Sequence, residues 1–356
     1  PNMRHHFSAL LMRINPSEER ARTAAARANE LRDYLAEHDL QTSSPHTRLS
    51  GSYGRHTAIE RIPDVDVLAF IGESQLDRTP NAVLLEFLGV LKDFPGGAID
   101  TRGQRRSVRI TLEADDLHLD VVPSVLDDGL SMPLWVPDRR QEIWIRSDPL
   151  GYAERLSELN QEHGGKLIPL IKLLKAWRDE QMKRRRPKSY VLEVILLEGV
   201  QDGELVLRDR GTAENVCDAF VYITGRFQEL MDKGKEAPRI SDPQIPGTFI
   251  TKGWERAAFE TFMTRAREAE RAARRALVAG DETAAGKEWQ RVFGSKWPPE
   301  SDVKEAARVE ARGVRPGDSS ITPGGLIVAG ALCVAVGALA HHLVATQPTR
   351  FHGERK

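Results

Sequence analysis

The sequence predicts an α+β protein with a mixed-sheet lobe first, a helical lobe second and an apolar helix near its C-terminal end. Three observations lead there. Short runs alternating apolar and polar residues concentrate between residues 64 and 122. From residue 149 onward the apolar residues recur at helical spacing. Finally, the stretch 324–340 carries no charged side chain.

Taken in order, residues 16–39 are rich in Ala, Arg and Glu at helical spacing and are expected to brace the sheet. Thr42-Ser-Ser-Pro-His46 breaks that pattern before a short strand leads into Gly51. Residues 64–70, rich in Val, Leu and Phe and preceded by Ile62-Pro63, read as a strand. An amphipathic helix over 80–94 is stopped by Phe94-Pro-Gly-Gly97. The alternating runs 108–112 and 117–122, separated by Glu113-Ala-Asp-Asp116, predict a hairpin. Helices are expected over 150–162, 166–183, 190–198, 253–278 and 284–293. The lobes therefore divide as 1–148, including the bracing helix, and 149–298.

Residues 299–323 are charged and then rich in Gly, Pro and Ser, so they read as a linker. Residues 324–346 are expected to form a helix close to the shortest length that spans a bilayer, about 20 residues. A second reading stays open, in which small residues at Ala329, Gly330, Cys333 and Gly337 allow close self-association. No signal peptide is read in the first fifteen residues, which include Arg4, His5, His6 and Arg13. The two cysteines, Cys217 and Cys333, suggest no disulfide framework, and a reducing cytosol is expected for the folded lobes. Lys plus Arg total 51 against 52 for Asp plus Glu. That balance supplies no global positive field for long nucleic acid and favours small nucleotides.

Chemistry concentrates in Asp64-Val-Asp66. Side chains alternate along a strand, so both carboxylates share a face. Two acids held that close raise each other's pKa unless a divalent cation reverses the local field. The predicted hairpin brings Asp120 from a neighbouring strand as a third acid. Three oxygen ligands suit Mg²⁺, or Mn²⁺ in its place, and two such ions can activate a hydroxyl and stabilise leaving pyrophosphate. Gly51-Ser52 supplies a tight turn whose N–H groups and Ser52 hydroxyl would face nucleotide phosphates. His118, two residues before Asp120, reads as a hydrogen-bonded neighbour of the acids and not as a base.

The order Gly51-Ser52, Asp64-Val-Asp66 and a later strand Asp120 resembles the DNA polymerase β-like nucleotidyltransferases. Four further segments narrow the resemblance: Leu170 to Trp177, Lys188 to Glu193, Ser241-Asp-Pro243 and Trp289 to Gly294. Together they are similar to the bacterial cyclic-oligonucleotide synthases, relatives of cyclic GMP-AMP synthase and 2′-5′ oligoadenylate synthase, over residues from about 10 to 298.

The resemblance implies a polymerase β-like catalytic lobe, a helical nucleotide-binding lobe, two-metal chemistry on Asp64, Asp66 and Asp120, and nucleoside triphosphate substrates. It implies that a lysine meets the donor triphosphate. Lys175 is the better positional match and Lys172 the second, although their spacing alone reads as a solvated basic stripe. It also implies that the Ser189 hydroxyl binds phosphate and the Tyr190 ring stacks on a base, where the residues alone would place Tyr190 in a core. The product would be a cyclic di- or trinucleotide second messenger in anti-phage signalling, sensed by a separate effector protein. Two alternatives accompany it. One is a terminal nucleotidyltransferase that extends an RNA or protein acceptor; the other is a catalytically silent, membrane-tethered scaffold.

Overall fold

The computed structural model describes residues 1–38, 40, 47–60, 62, 64–100, 104–127, 131–183, 186–209 and 211–312. Two helices lead, α1 (Arg4–Ile14) and α2 (Glu18–Glu37). The sheet region follows: β1 (Thr47–Ser50), the short α3 (Gly51–Gly54), β2 (Asp64–Ile71), α4 (Pro80–Leu91), β3 (Ala98–Asp100), β4 (Val108–Leu112), β5 (Leu117–Asp127), β6 (Ser131–Asp138) and β7 (Ile143–Ser147). Helices follow: α5 (Pro149–Glu162), α6 (Leu167–Gln181), α7 (Ser189–Gln201), α8 (Thr212–Arg226), α9 (Gln228–Lys233), α10 (Arg256–Leu277), α11 (Glu282–Phe293) and α12 (Glu300–Ala311), with one isolated antiparallel bridge between Ser241 and Phe249.

The sheet is mixed, ordered β1-β2-β5-β4-β3, with β6 joining β5 to β7. Among the described residues β2 and β5 alone run parallel, and the other pairs are antiparallel. Period-two alternation sends Val65, Val67, Ile110, Leu119 and Val121 to one face, where all are buried. Two helices cover that face. Ala24, Ala28, Leu31 and Leu35 form one stripe of α2, and Val83, Leu84, Phe87 and Leu91 one stripe of α4. Both helices begin at capped turns. Ser17 accepts from the Arg20 N–H, and Thr79 accepts from the Ala82 N–H with Pro80 at the first helical position.

A second core belongs to the helices. Trp177 of α6 is fully buried at its centre, edge-on to Phe220 at 4.9 Å and Phe262 at 5.8 Å. α1 joins this core, not that of the sheet: Phe7 stands edge-on to Trp289 at 4.9 Å and Trp297 at 5.5 Å. The sheet-lobe segment 1–148 thus opens with a helix whose apolar face serves the other lobe. At its far end Asp148 caps α5 by accepting from the Gly151 N–H.

The linker expected from 299 instead begins with helix α12. Val303 and Ala306 bury against Ala9 of α1, and Arg4 pairs with Glu310 at 2.9 Å. Two small apolar residues suffice there because the partner surface is also small, and a stripe that thin leaves no sustained period in the sequence. The rest of the expected linker and the apolar stretch 324–346 lie outside the described residues. Among the described residues no helix is long and apolar enough to cross a membrane.

Phe7→Ala tests the assignment of α1. Loss of its aromatic contacts should destabilise the protein by about 3–5 kcal/mol, read from urea unfolding of the full chain.

Candidate active site

Strand register builds the site. Across the parallel pair, Asp66 lies opposite Asp120 and Asp64 opposite His118. Across β4–β5, Arg109 lies opposite Asp120 and Thr111 opposite His118. Opposed residues share a face, so all six stand on the side turned away from α2 and α4. Thr111 Oγ1 lies 3.1 Å from His118 Nδ1, which makes the histidine a hydrogen-bonded neighbour of the acids.

Gly51 follows β1 directly, and its neighbour Ser50 pairs with Asp66. Its φ is +63°, and a Cβ built on it would come 1.8 Å from Asp66 Oδ2. Glycine is required on both counts, the left-handed backbone and the close approach. The Ser52 carbonyl accepts the N–H groups of Thr57 and Ala58 at 2.9 and 3.0 Å, closing the loop after α3.

The carboxylates differ in their surroundings. The Asp66 carboxylate has no hydrogen bond or ion pair among the described residues. Burial, and next the Asp120 carboxylate, push its pKa up to about 6. Asp120 is bound on both oxygens by Arg109, Nε to Oδ1 at 2.9 Å and Nη2 to Oδ2 at 2.5 Å. The same Nη2 lies 2.8 Å from Asp64 Oδ1. These contacts, the Asp120 hydrogen bonds first, raise the Arg109 pKa further.

Among the described residues no three His, Cys, Asp or Glu side chains form a group arranged to hold an ion. Arg109 stands where Asp64 and Asp120 would have to close. The donor chemistry nonetheless fits a hard divalent cation. It is all carboxylate oxygen, and Asp66 is charged only against an unfavourable field that a cation would relieve.

The helical lobe meets this site through Arg55. Its guanidinium donates to Glu193 Oε2 at 3.0 Å and lies 5.4 and 5.5 Å from the ring centres of Tyr152 and Tyr190. Glu193 is fully buried and also accepts from the Thr57 hydroxyl at 2.9 Å and Lys175 Nζ at 3.3 Å. Burial alone would raise its carboxyl, but Arg55 and Lys175 hold it below its ordinary value.

Sequence-predicted residues therefore fall into three environments. Asp64, Asp66, Asp120 and Gly51 come together on the sheet. Ser189 and Tyr190 open α7; Ser189 Oγ accepts from Arg178 at 2.9 Å, and Tyr190 packs edge-on to Tyr152 at 4.8 Å. Lys175 is already matched: its Nζ donates to the Thr57 carbonyl at 2.6 Å besides Glu193. Lys172 has only a neutral partner, Asn15 Oδ1 at 2.9 Å, and burial, then Lys175, lower its pKa to about 8.

Sequence reasoning missed Arg109, Arg55 and Glu193 as parts of the site. Glu193 was detectable as a lone acid inside the apolar run Val191-Leu-Glu-Val-Ile-Leu. Arg109 shares its parity with Thr111, but only the register reveals which acids it faces.

Three aspartates on one face of a mixed sheet, beside a glycine turn and a helical lobe, define a nucleotidyltransferase. Residues 2–160 match the model of the Second Messenger Oligonucleotide or Dinucleotide Synthetase domain. The cyclic AMP-AMP-AMP synthase of Acinetobacter sp. (strain ATCC 27244 / 9458) is 30% identical over 313 residues, covering 84% of this chain and 87% of that protein. The chain belongs to the bacterial cyclic-oligonucleotide synthases, and its activity is cyclic-oligonucleotide synthesis.

Solved structures share the fold. Escherichia coli MS115-1 CdnC with ATP superposes at a TM-score of 0.66, 21% identical, covering 83% of this chain and 99% of that one. The same protein in its CdnC:HORMA-deltaN complex gives 0.64 at 20% identity, over 80% and 95%. Vibrio cholerae DncV, a cyclic AMP-GMP synthase, gives 0.65 at 15% identity, over 85% and 98%.

Two outcomes follow from this geometry. Gly51→Ala should displace the Asp66 carboxylate and lower kcat/KM by roughly a hundredfold or more, measured by pyrophosphate release. Lys172→Met should be more stable than the parent at pH 7, by an order of magnitude of about 3 kcal/mol. The lysine is charged in both states at that pH, and only the folded state bears the cost of burying the charge. Between about pH 8 and 10.5 the unfolded chain binds the extra proton, so rising pH stabilises the parent and the advantage of Lys172→Met shrinks. Urea unfolding at stepped pH measures it.

Proposed function

We propose that the enzyme joins nucleoside triphosphates into a cyclic di- or trinucleotide, releasing pyrophosphate at each transfer. The observation that carries this reading is Asp66 facing Asp120 across β2–β5, with Gly51 pressed against the Asp66 carboxylate. A trinucleotide containing AMP is favoured by the product named for the Acinetobacter relative.

In this reading Asp64 and Asp66 would hold two ions, Mg²⁺ or Mn²⁺, and Asp120 the one on the acceptor side. Bound there, the ions supply Lewis-acid activation of the acceptor hydroxyl and charge neutralisation of the leaving pyrophosphate. Gly51 lets phosphate approach the backbone, and Ser52 offers its hydroxyl beside it. Lys172, the lysine with a neutral partner, is the better candidate for the donor triphosphate, and Lys175 contributes by fixing Glu193. The Ser189 hydroxyl is a phosphate donor, and the Tyr190 ring, held by Tyr152 and Arg55, is a stacking surface for a base.

The surroundings extend the same reading. The product would act as an anti-phage second messenger on a separate effector in the cytosol, where nucleoside triphosphates are plentiful. A protein partner is supported by the complex of E. coli CdnC with a HORMA protein.

Incubating the full chain with the four ribonucleoside triphosphates and Mg²⁺ should give a phosphatase-resistant oligonucleotide without free ends by mass spectrometry. Asp64→Asn with Asp66→Asn should abolish it while leaving the circular dichroism spectrum intact. Incorporation only into an added RNA or protein acceptor would overturn cyclisation in favour of terminal transfer.

A further inference from the structure

Arg109 is the only cation among the described residues that is paired with the acid cluster. It bonds both oxygens of Asp120 and reaches Oδ1 of Asp64, so three of the six carboxylate oxygens already face a guanidinium. The carboxylate of Asp66, beside them on the sheet face, has no partner among the described residues. The arrangement is fixed by the fold: Arg109 sits opposite Asp120 in the β4–β5 register, so its side chain rises from the same face as the acids. A planar fork suits it to this role, because a guanidinium satisfies one carboxylate with two donors and still reaches a second.

We infer that Arg109 is a positioning residue for metal loading. It is the resident counter-ion of the metal-free site and competes with an incoming ion for the oxygens of Asp120 and for Oδ1 of Asp64. Electrostatics carries this. Three aspartates without a cation on one sheet face repel one another, and Arg109 offsets that repulsion at Asp64 and Asp120. A divalent ion supplies twice the charge, and a guanidinium held 2.5 to 2.9 Å from the same carboxylate repels it and competes for those oxygens. Asp66 and Oδ2 of Asp64 are the carboxylate oxygens open to the first ion, and competition with Arg109 follows at Asp120. Arg109 thereby lowers the affinity of the nucleotide-free enzyme for metal while keeping the acids in register. The charge of a metal–nucleotide complex arriving at the site then drives the exchange. This inference rests on the proposal that the three aspartates hold metal.

Mn²⁺ binding to the full chain without nucleotide, followed by electron paramagnetic resonance, tests it. Arg109→Gln should bind Mn²⁺ at least about tenfold more tightly than the parent. Arg109→Lys, which keeps the charge but loses the two-pronged contact, should fall between. The melting temperature of Arg109→Gln should drop without metal and rise more steeply with added Mn²⁺ than that of the parent. Equal or weaker binding in Arg109→Gln overturns the inference. If Asp66→Asn leaves parental Mn²⁺ binding unchanged, the metal-site proposal fails as well, and the two failures are thereby told apart.

Discussion

Glu193 has no exposed surface, and a carboxylate so placed persists only where cations and donors meet it. The three that do come from two lobes. Arg55 and Thr57 follow the glycine turn after β1, while Lys175 belongs to α6. One buried acid therefore ties the loop that carries Gly51 to the two helices that carry Lys172, Lys175, Ser189 and Tyr190. Arg55 adds a second function by lying against Tyr152 and Tyr190 while its charge reaches Asp66. The separation of the aspartates from the proposed base-stacking ring is thus held by a buried network of charges that pins the loop residues Arg55 and Thr57 to α6 and α7.

The aspartates themselves are positioned by a different constraint. β2 and β5 are the parallel pair in an otherwise antiparallel sheet, and their register alone sets Asp66 against Asp120. The apolar side chains between them, Val65, Val67, Leu119 and Val121, anchor the opposite face under α2 and α4. Burial of one face consequently dictates the chemistry of the other. Gly51 closes the arrangement because only a residue without a Cβ can lie against the Asp66 carboxylate.

Much of this was legible in the sequence where period and composition are strong. The strand of Asp64 and Asp66, the hairpin ending in Asp120, and the helices α2, α4, α6 and α10 all show clean alternation or helical spacing. β6 was not legible, because Pro133 and Pro137 interrupt a run that survives on pairing to β5 and β7. α12 was missed because two small residues anchor it. Within the site, the acids were visible as residue types, whereas Arg109 and Arg55 were not. Their roles depend on which strand lies beside which, and on Glu193 of α7, 138 residues away in sequence from Arg55. The lysines show the converse limit: spacing put Lys172 and Lys175 on one helix face, and both are buried, but only the partners that the fold brings to them distinguish the one matched by Glu193 from the one matched by Asn15.

The alternation of β5 also determines how this enzyme can diverge. Substitutions at His118 and Asp120, the outward positions of β5 within the site, alter it one side chain at a time and leave the apolar layer under α2 and α4 alone, whereas Val122 and Leu126 further along that face pack in a separate apolar cluster. An insertion or deletion between Leu117 and Asp120 is different in kind, because it rotates every later side chain to the other face. Asp120 would then enter the apolar layer beneath α2 and α4, and Leu119 or Val121 would take its place beside Asp66. Length variation among descendants of this chain is therefore confined to segments outside the β2–β5 pair, and the spacing within each strand is inherited as a unit with the chemistry it carries.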